Sequence, residues 1–136
     1  MILTLRATDQ EGKSIPLING SRVPDWGGPQ AGQPGRAYAK VLEDIATGEA
    51  PVISYWKPTR IADDSRIAAM QTDVSQYHFA TPLSSGWVGI QAELRYRRNF
   101  YKLMDDKNWM ESDIILQQAQ LKLWSSPRLS MPVIMR

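Results

Sequence analysis

The chain has 136 residues, a formal net charge of +2 and no cysteine. This length fits a single domain with one core, and 43% hydrophobic with 22% charged residues is typical of globular rather than disordered proteins. The lack of cysteine excludes disulfides, zinc sites with thiolate ligands and iron–sulfur clusters, and the single histidine excludes a multi-histidine metal site within one chain.

The distribution of charge indicates no nucleic-acid partner. Sixteen Lys and Arg are balanced by 14 Asp and Glu spread along the chain, whereas nucleic-acid-binding domains usually gather basic residues into a stripe. No apolar run approaches the roughly 18–20 residues that cross a bilayer, so we expect no transmembrane segment. The first residues are too polar for a secretory signal and are typical of a strand already in progress, so we expect a piece of a longer polypeptide.

The first half of the chain predicts short strands separated by turns. Leu3, Leu5 and Ala7 alternate with polar residues, which predicts a strand, and a second short strand is expected at 14–18. Residues 20–35 are rich in glycine and proline, which excludes a regular helix or central strand and predicts one long surface loop. Further strands are expected at 36–44 and 51–56, with a polar connection over 57–66.

The second half predicts longer strands and one helix. Period-two alternation indicates strands at 74–80 and 87–98, and the change of period at 99–109 predicts a short helix. Residues 113–124 have helical propensity in part, but the alternation around Leu121 and Leu123 favours a strand.

These elements together predict a mainly β fold. The expected architecture is an antiparallel β-sandwich, jelly-roll or immunoglobulin-like, with one short helix near residues 99–109 and a long Gly/Pro-rich loop. We expect one domain over residues 1–124, followed by an extended C-terminal arm over 125–136.

The densest cluster of like charge lies at the end of the 87–98 strand. Alternation places Arg95 and Arg97 on the solvent side, where guanidinium groups can pair with phosphate, carboxylate or an acidic protein. The alternative is an ordinary solvated strand face with acids alongside. The candidate docking surface consists of Arg95, Arg97, Arg98 and Lys102.

Two aromatic residues and one acidic group are the remaining candidates. Trp26 and Tyr38 flank the Gly/Pro-rich loop and are the candidates for stacking on a ligand, because the other tryptophans fall at element ends, where aromatic rings seal a core. A weak calcium candidate consists of Asp63, Asp64 and Asp73, and the alternative is a turn in which Asp64 pairs with Arg66. No nucleophile-elbow or phosphate-loop motif is present, so we expect no catalysis and no cofactor in this chain.

Several short segments, taken in order, resemble a known family. Between about residues 15 and 123 their order is similar to the haem-free, C-terminal β-sandwich of some bacterial multihaem c-type cytochromes. The segments that carry the resemblance are 36–44 (RAYAKVLED), 47–48 (TG), 54–56 (SYW), 64–67 (DSRI), 76–79 (QYHF), 92–98 (AELRYRR), 104–109 (MDDKNW) and 113–116 (DIIL).

The resemblance implies an accessory role without catalysis. It suggests a haem-free domain of an exported electron-transfer protein, periplasmic or extracellular, that docks on a haem-bearing domain or another redox protein. Covalent haem attachment needs Cys-x-x-Cys-His, so haem c is implied only in a preceding domain of the parent polypeptide. The alternative is a stand-alone ligand- or carbohydrate-binding β-sandwich module that uses the 20–35 loop.

Overall fold

The structure is a computed structural model that describes residues 1–54, 56–80, 84–126 and 132–135. These residues form a mainly β fold with antiparallel sheets, as the sequence predicts. The helical segments are a 3₁₀ segment, Asp25–Gln30, and one short helix, α1, Tyr101–Asp106. The strands are β1 (Ile2–Thr8), β2 (Ser14–Ile15), β3 (Leu17–Asn19), β4 (Gly35–Ala37), β5 (Lys40–Asp44), β6 (Thr59–Asp64), β7 (Ser75–Phe79), β8 (Gly86–Tyr96), β9 (Ile114–Ser125) and β10 (Pro132–Met135).

Strand β1 lies inside the largest sheet, which has five strands. It pairs with β8 on one side and with both β4 and β2 on the other, and β9 follows β8 at the far edge. A second sheet has the order β10-β7-β3, and β5 pairs with β6 in a separate two-stranded ribbon. Every one of these described pairings is antiparallel.

The main core lies between the five-stranded and three-stranded sheets, in a sandwich-like arrangement. Tyr77 of β7 is fully buried and packs against Leu5 and Ala92 of the larger sheet. Its hydroxyl lies 3.1 Å from Ser21 Oγ, so the buried polar end has a partner. A second cluster around Ile15 and Ile90 extends the core along the same face.

The opposite face of the five-stranded sheet is covered at one end only. Ile2 and Ala37 are buried there beneath Val23, with Trp26 packed on the cluster. The 20–35 segment that covers this face contains the 3₁₀ turn, since backbone can turn locally even where glycine and proline exclude a regular helix. The candidate site lies beside this covered end of the five-stranded sheet.

The structure corrects four expectations about elements. Residues 51–54 are not a strand, whereas β6 lies within 57–66, which was expected to be a connection. The strand expected at 14–18 is divided at Pro16 into β2 and β3, which belong to different sheets, because proline lacks the N–H that a continuous ladder needs. The strand expected at 36–44 is likewise divided into β4 and β5.

Part of the C-terminal arm expected over 125–136 has a defined pairing. Residues 127–131 and 136 lie outside the described residues, and β9 ends at Ser125. Strand β10 pairs with β7, with Pro132 opposite His78 and Met135 opposite Ser75. The C-terminal strand is therefore part of the smaller sheet.

Candidate functional site

A cavity of about 440 Å³ lies beside the covered end of the five-stranded sheet. We call it the aromatic cavity, because Trp26, Tyr38, Tyr96 and Phe100 all line it. Its volume lies within the range of small-molecule sites, roughly 300–1,000 Å³. The other lining residues described are Met1, Ile2, Ala39, Lys40, Val52, Ile53, Arg97, Arg98, Asn99 and Leu103.

The 3₁₀ turn and α1 together place Trp26 at the cavity. The Trp26 and Phe100 rings meet edge to face, with centroids 5.4 Å apart and planes at 85°. Close approach of the two segments requires glycine: a Cβ on Gly28, whose φ is +62°, would lie 2.4 Å from Cγ of Tyr101. The Gly/Pro-rich sequence therefore allows the turn to pack directly on the helix.

Arg97 holds the 3₁₀ turn against the end of the large sheet. Its Nε and Nη2 donate to the two carboxylate oxygens of Asp113 at 2.8 and 2.7 Å, and its Nη1 donates to the carbonyl oxygen of Gly27 at 2.7 Å. A further bond reaches Oε1 of Gln30, and the guanidinium lies 5.6 Å from the Tyr101 ring centroid. These contacts hold the pKa of Asp113 below its usual range, with the Arg97 hydrogen bonds as the main cause.

Tyr38 is fixed on the other side of the cavity by a polar network. Its hydroxyl donates to Asp73 at 2.8 Å, and Arg36 donates to the second oxygen of the same carboxylate at 2.9 Å. Burial, followed by the hydrogen bond to the carboxylate, raises the pKa of Tyr38 far above its ordinary value. The phenol therefore stays protonated and acts as a fixed wall rather than as an acid or base.

The charged groups that line the aromatic cavity are basic. Lys40, Arg97 and Arg98 are among its lining residues, and no aspartate or glutamate is among those described. Arg97 and Arg98 have acidic partners, Asp113 and Glu111. Lys40 lies opposite Asp64 in the β5–β6 ladder and contributes to lowering the pKa of that carboxylate, but it forms no ion pair within 4 Å among the described residues.

The structure places the four basic residues of the predicted docking surface in ion pairs. Arg98 pairs with Glu111 at 3.0 Å, and Lys102 pairs with Glu49. Arg95 pairs with Glu93 and lies 3.7 Å from Asp113, while its Nε has no hydrogen-bond partner among the described residues. That these residues dock a partner stays a prediction.

The expectation that Arg97 lies on a solvent face is wrong. Its side chain is only 8% exposed, and that of Arg95 is 22% exposed. Alternation assigns a side chain to one face of a strand but does not show what covers that face. Here the 3₁₀ turn covers the end of it, so Arg97 is a buried anchor.

Two of the three aspartates of the calcium candidate are held by arginines, and the third, Asp63, is an exposed residue of β6 opposite Val41. Asp64 accepts two hydrogen bonds from Arg66, at 2.8 and 2.6 Å, which lower its pKa to about 2. Asp73 instead accepts hydrogen bonds from Arg36 and Tyr38. Within the described residues no group of three acidic or histidine side chains is arranged to hold a metal ion, and no helix there is long and apolar enough to span a membrane.

Sequence reasoning found two of the four cavity aromatics. Trp26 and Tyr38 were recognised because they flank the Gly/Pro-rich loop, and the structure brings both to one cavity. Period-two alternation places Tyr96 on the same side of its strand as Val88 and Ile90, and Phe100 lies in the predicted helix at 99–109, so the sequence does not predict that either lines a ligand site. The available signal is that Tyr96 lies between two of the predicted docking arginines and that Phe100 lies two residues after the last of them.

Comparison with known proteins adds no assignment. No protein-family model, no curated protein and no solved structure matches this chain.

Proposed function

We propose that this chain is a binding module and that its ligand is a ring-containing small molecule with an anionic group. The observation that carries this proposal is the aromatic cavity, in which four aromatic side chains and basic groups surround about 440 Å³ of space. Aromatic walls supply apolar contact to a ring, and a few polar groups fix its orientation.

The charge of the cavity supports an anionic group on the ligand. Lys40 lines the cavity and is within 4 Å of no described carboxylate, so its ammonium group can pair with an anionic group of a ligand. A neutral sugar would gain little from this cation. The rigid framework around the cavity also supports binding. Trp26 and Tyr38 are each held by named partners, so little side-chain entropy is lost when a ligand enters.

The proposal is tested by a thermal-shift screen with four ligand sets: neutral monosaccharides, sugar acids, aromatic carboxylates and nucleotides. A ligand at about 100 times its dissociation constant adds about 2.7 kcal/mol to the free energy of unfolding, which raises the melting temperature by several degrees. We expect the anionic ring compounds to give the shifts. A screen in which no set raises the melting temperature contradicts the proposal.

Two variants locate any hit in the cavity. Tyr96→Ala removes a 42% exposed ring of the cavity wall, and Lys40→Gln removes the cation. We expect both to weaken binding of an anionic ligand about tenfold, which corresponds to about 1.4 kcal/mol. Lys13→Gln, in the exposed turn after β1, is the matched control and keeps wild-type affinity. Equal affinity in all three variants places the ligand elsewhere.

A second proposal rests on the sequence resemblance. The ordered segments between residues 15 and 123 support an accessory, haem-free domain of an exported multihaem c-type cytochrome, with haem c in a preceding domain and a redox protein as partner. Because Arg97 is buried, such docking would depend mainly on Arg98 and Lys102, whose side chains are 60% and 49% exposed. Haem staining of the native polypeptide, detected with an antibody to this domain, tests it. A haem-negative band near 15.4 kDa contradicts it.

A further inference from the structure

Strand β9 is the longest strand described, and most of its residues are exposed to solvent. It pairs with β8 on one side, and no described strand pairs with its other side. Eleven of its 12 residues are exposed or half-buried, and Leu121 is 50% exposed. Every second residue of such an edge presents an unpaired backbone N–H and C=O, which can add a further strand.

The apolar side chains of β9 continue the core face of the sandwich. The register places Ala119, Leu121 and Leu123 opposite Ala92, Ile90 and Val88, all three of which are buried. Leu123 is half-buried against the core cluster, whereas Ala119 and Leu121 are exposed, so the apolar face continues largely uncovered to the edge of the large sheet. Proteins normally protect such an edge with charges, proline or a short strand.

Charge protects this edge very little. Lys122 is the only charged residue in β9, and its Nζ lies 5.4 Å from the Trp87 ring centroid, over the neighbouring strand β8. A β-bulge at Leu116 interrupts the pairing of β9 with β8, and residues 117–125 pair with β8 in an unbroken register. A partner for these nine residues needs no complementary charge, only a matching apolar and amide pattern.

We propose that β9 pairs antiparallel with β9 of a second copy of this chain, on a two-fold axis at Leu121. In this register Leu121 meets its own copy and Ala119 meets Leu123, so apolar residues meet on the core face. On the other face Gln120 meets Lys122 and Gln118 meets Trp124. The two Lys122 side chains are not opposed, and no carboxylate is required, which favours a second copy over a charged partner.

The size of this interface predicts weak association. Nine residues at about 3.4 Å each give a contact of about 30 Å, and a sheet about 10 Å thick gives about 300 Å² per copy. The total of about 600 Å² is below the roughly 1,200 Å² typical of stable complexes, so we expect a dissociation constant on the order of 10–100 μM.

The first test is sedimentation velocity between about 5 and 500 μM, a range that brackets the expected affinity. We expect the mass of the wild-type chain to rise from 15.4 kDa toward twice that value. Leu121→Lys places two ammonium groups opposite each other and should remain monomeric, since like charges in opposed positions repel. The matched control Ile61→Lys, at a 57% exposed position in β6, should associate like the wild type, and circular dichroism should show both variants folded.

The second test uses the absence of cysteine from the chain. Opposed Cα atoms in an antiparallel pair lie about 4.5–5.5 Å apart, which is within the range for a disulfide. We expect Leu121→Cys to form a covalent dimer under mild oxidation at least about tenfold faster than Gln118→Cys, whose two copies lie about 20 Å apart in this register.

Three outcomes would overturn the proposal. A wild-type chain that stays monomeric throughout the concentration range would show that β9 does not pair with a second copy of this chain. Unchanged association of Leu121→Lys, or equal cross-linking at positions 118 and 121, would exclude this pairing.

Discussion

Replacing Arg97 with methionine tests whether this arginine is a structural anchor rather than part of a docking surface. Methionine keeps much of the aliphatic volume but removes the guanidinium, whose hydrogen bonds join Asp113, Gly27 and Gln30. The carboxylate of Asp113, 15% exposed, then keeps only Arg95 at 3.7 Å. The substitution therefore leaves the Asp113 carboxylate and the Gly27 carbonyl with fewer hydrogen-bond partners.

The expected cost follows from burial. Removing one partner of a buried ion pair costs about 3–5 kcal/mol, because an uncompensated charge remains. Since Asp113 retains some solvent and Arg95, we expect the lower end, about 3 kcal/mol. For a domain of this size that corresponds to a fall of about 10 °C in melting temperature. Arg98→Met is the matched control: Arg98 and Glu111 are 60% and 54% exposed, and we expect a loss below about 1 kcal/mol.

Urea unfolding followed by circular dichroism measures both variants. The pH dependence adds a second readout: because the folded-state pKa of Asp113 is depressed, its stabilisation is present above its unfolded pKa and is lost as the pH falls below about 4. Arg97→Met should lose stability at neutral pH and show a smaller further loss in acid. If its free energy of unfolding lies within about 0.5 kcal/mol of that of Arg98→Met, the anchor role is refuted.

Two further substitutions test other parts of the fold. Hydrogen bonds from Lys57 and, to a smaller extent, from the Ala46 N–H lower the pKa of Asp44 to about 2. Because this folded-state pKa is depressed, the ionised carboxylate stabilises the fold fully above about pH 4, and this stabilisation is lost as the pH falls toward 2. Asp44→Asn should therefore lower stability at pH 7 and flatten the decline between pH 4 and 2 in urea titrations, and an unchanged pH profile would contradict this. Gly28→Ala should cost at least twice the loss of about 1 kcal/mol expected for Gly12→Ala, because both have positive φ but only position 28 lacks space. Equal losses by the same titration would show that the contact with Tyr101 is easily relieved.

The strands with clear alternation were predictable because their pattern reflects burial within a sheet. β1, β7, β8 and β9 all lie where period-two alternation places them, and α1 lies within the predicted 99–109. Their local sequence and their tertiary surroundings agree, which is the condition under which pattern arguments succeed.

Strand β6 was not predictable from apolar pattern, unlike its partner β5, which lies within the strand predicted at 36–44. β6 is mostly exposed, and it is held by ladder hydrogen bonds and by the two bonds from Arg60 to Glu43 on the paired strand. The apolar residues at 51–53 are instead buried or half-buried outside any strand, and the Val52 N–H donates to the carbonyl of Leu42. A strand needs a neighbour, and the neighbour is a long-range property.

The candidate site could be predicted only in part. The loop composition indicated Trp26 and Tyr38, since long Gly/Pro-rich segments beside aromatics are uncommon without a binding or covering role. Phe100 joins them because the 3₁₀ turn docks on α1 at Gly28, and Tyr96 joins them because β8 ends beside the cavity. That docking joins segments about 70 residues apart, and no local pattern carries information about it.

The sequence by itself determined the mainly β class, the positions of the long alternating strands and the composition of the loop, because each depends on local spacing of side chains. The tertiary structure decided which faces are covered: it buried Arg97 under the 20–35 segment, assembled the aromatic cavity and left the edge of β9 open. The physical reason is that coverage and pairing depend on segments distant in sequence, and the same arginine is a solvated cation or a buried anchor according to what packs on it.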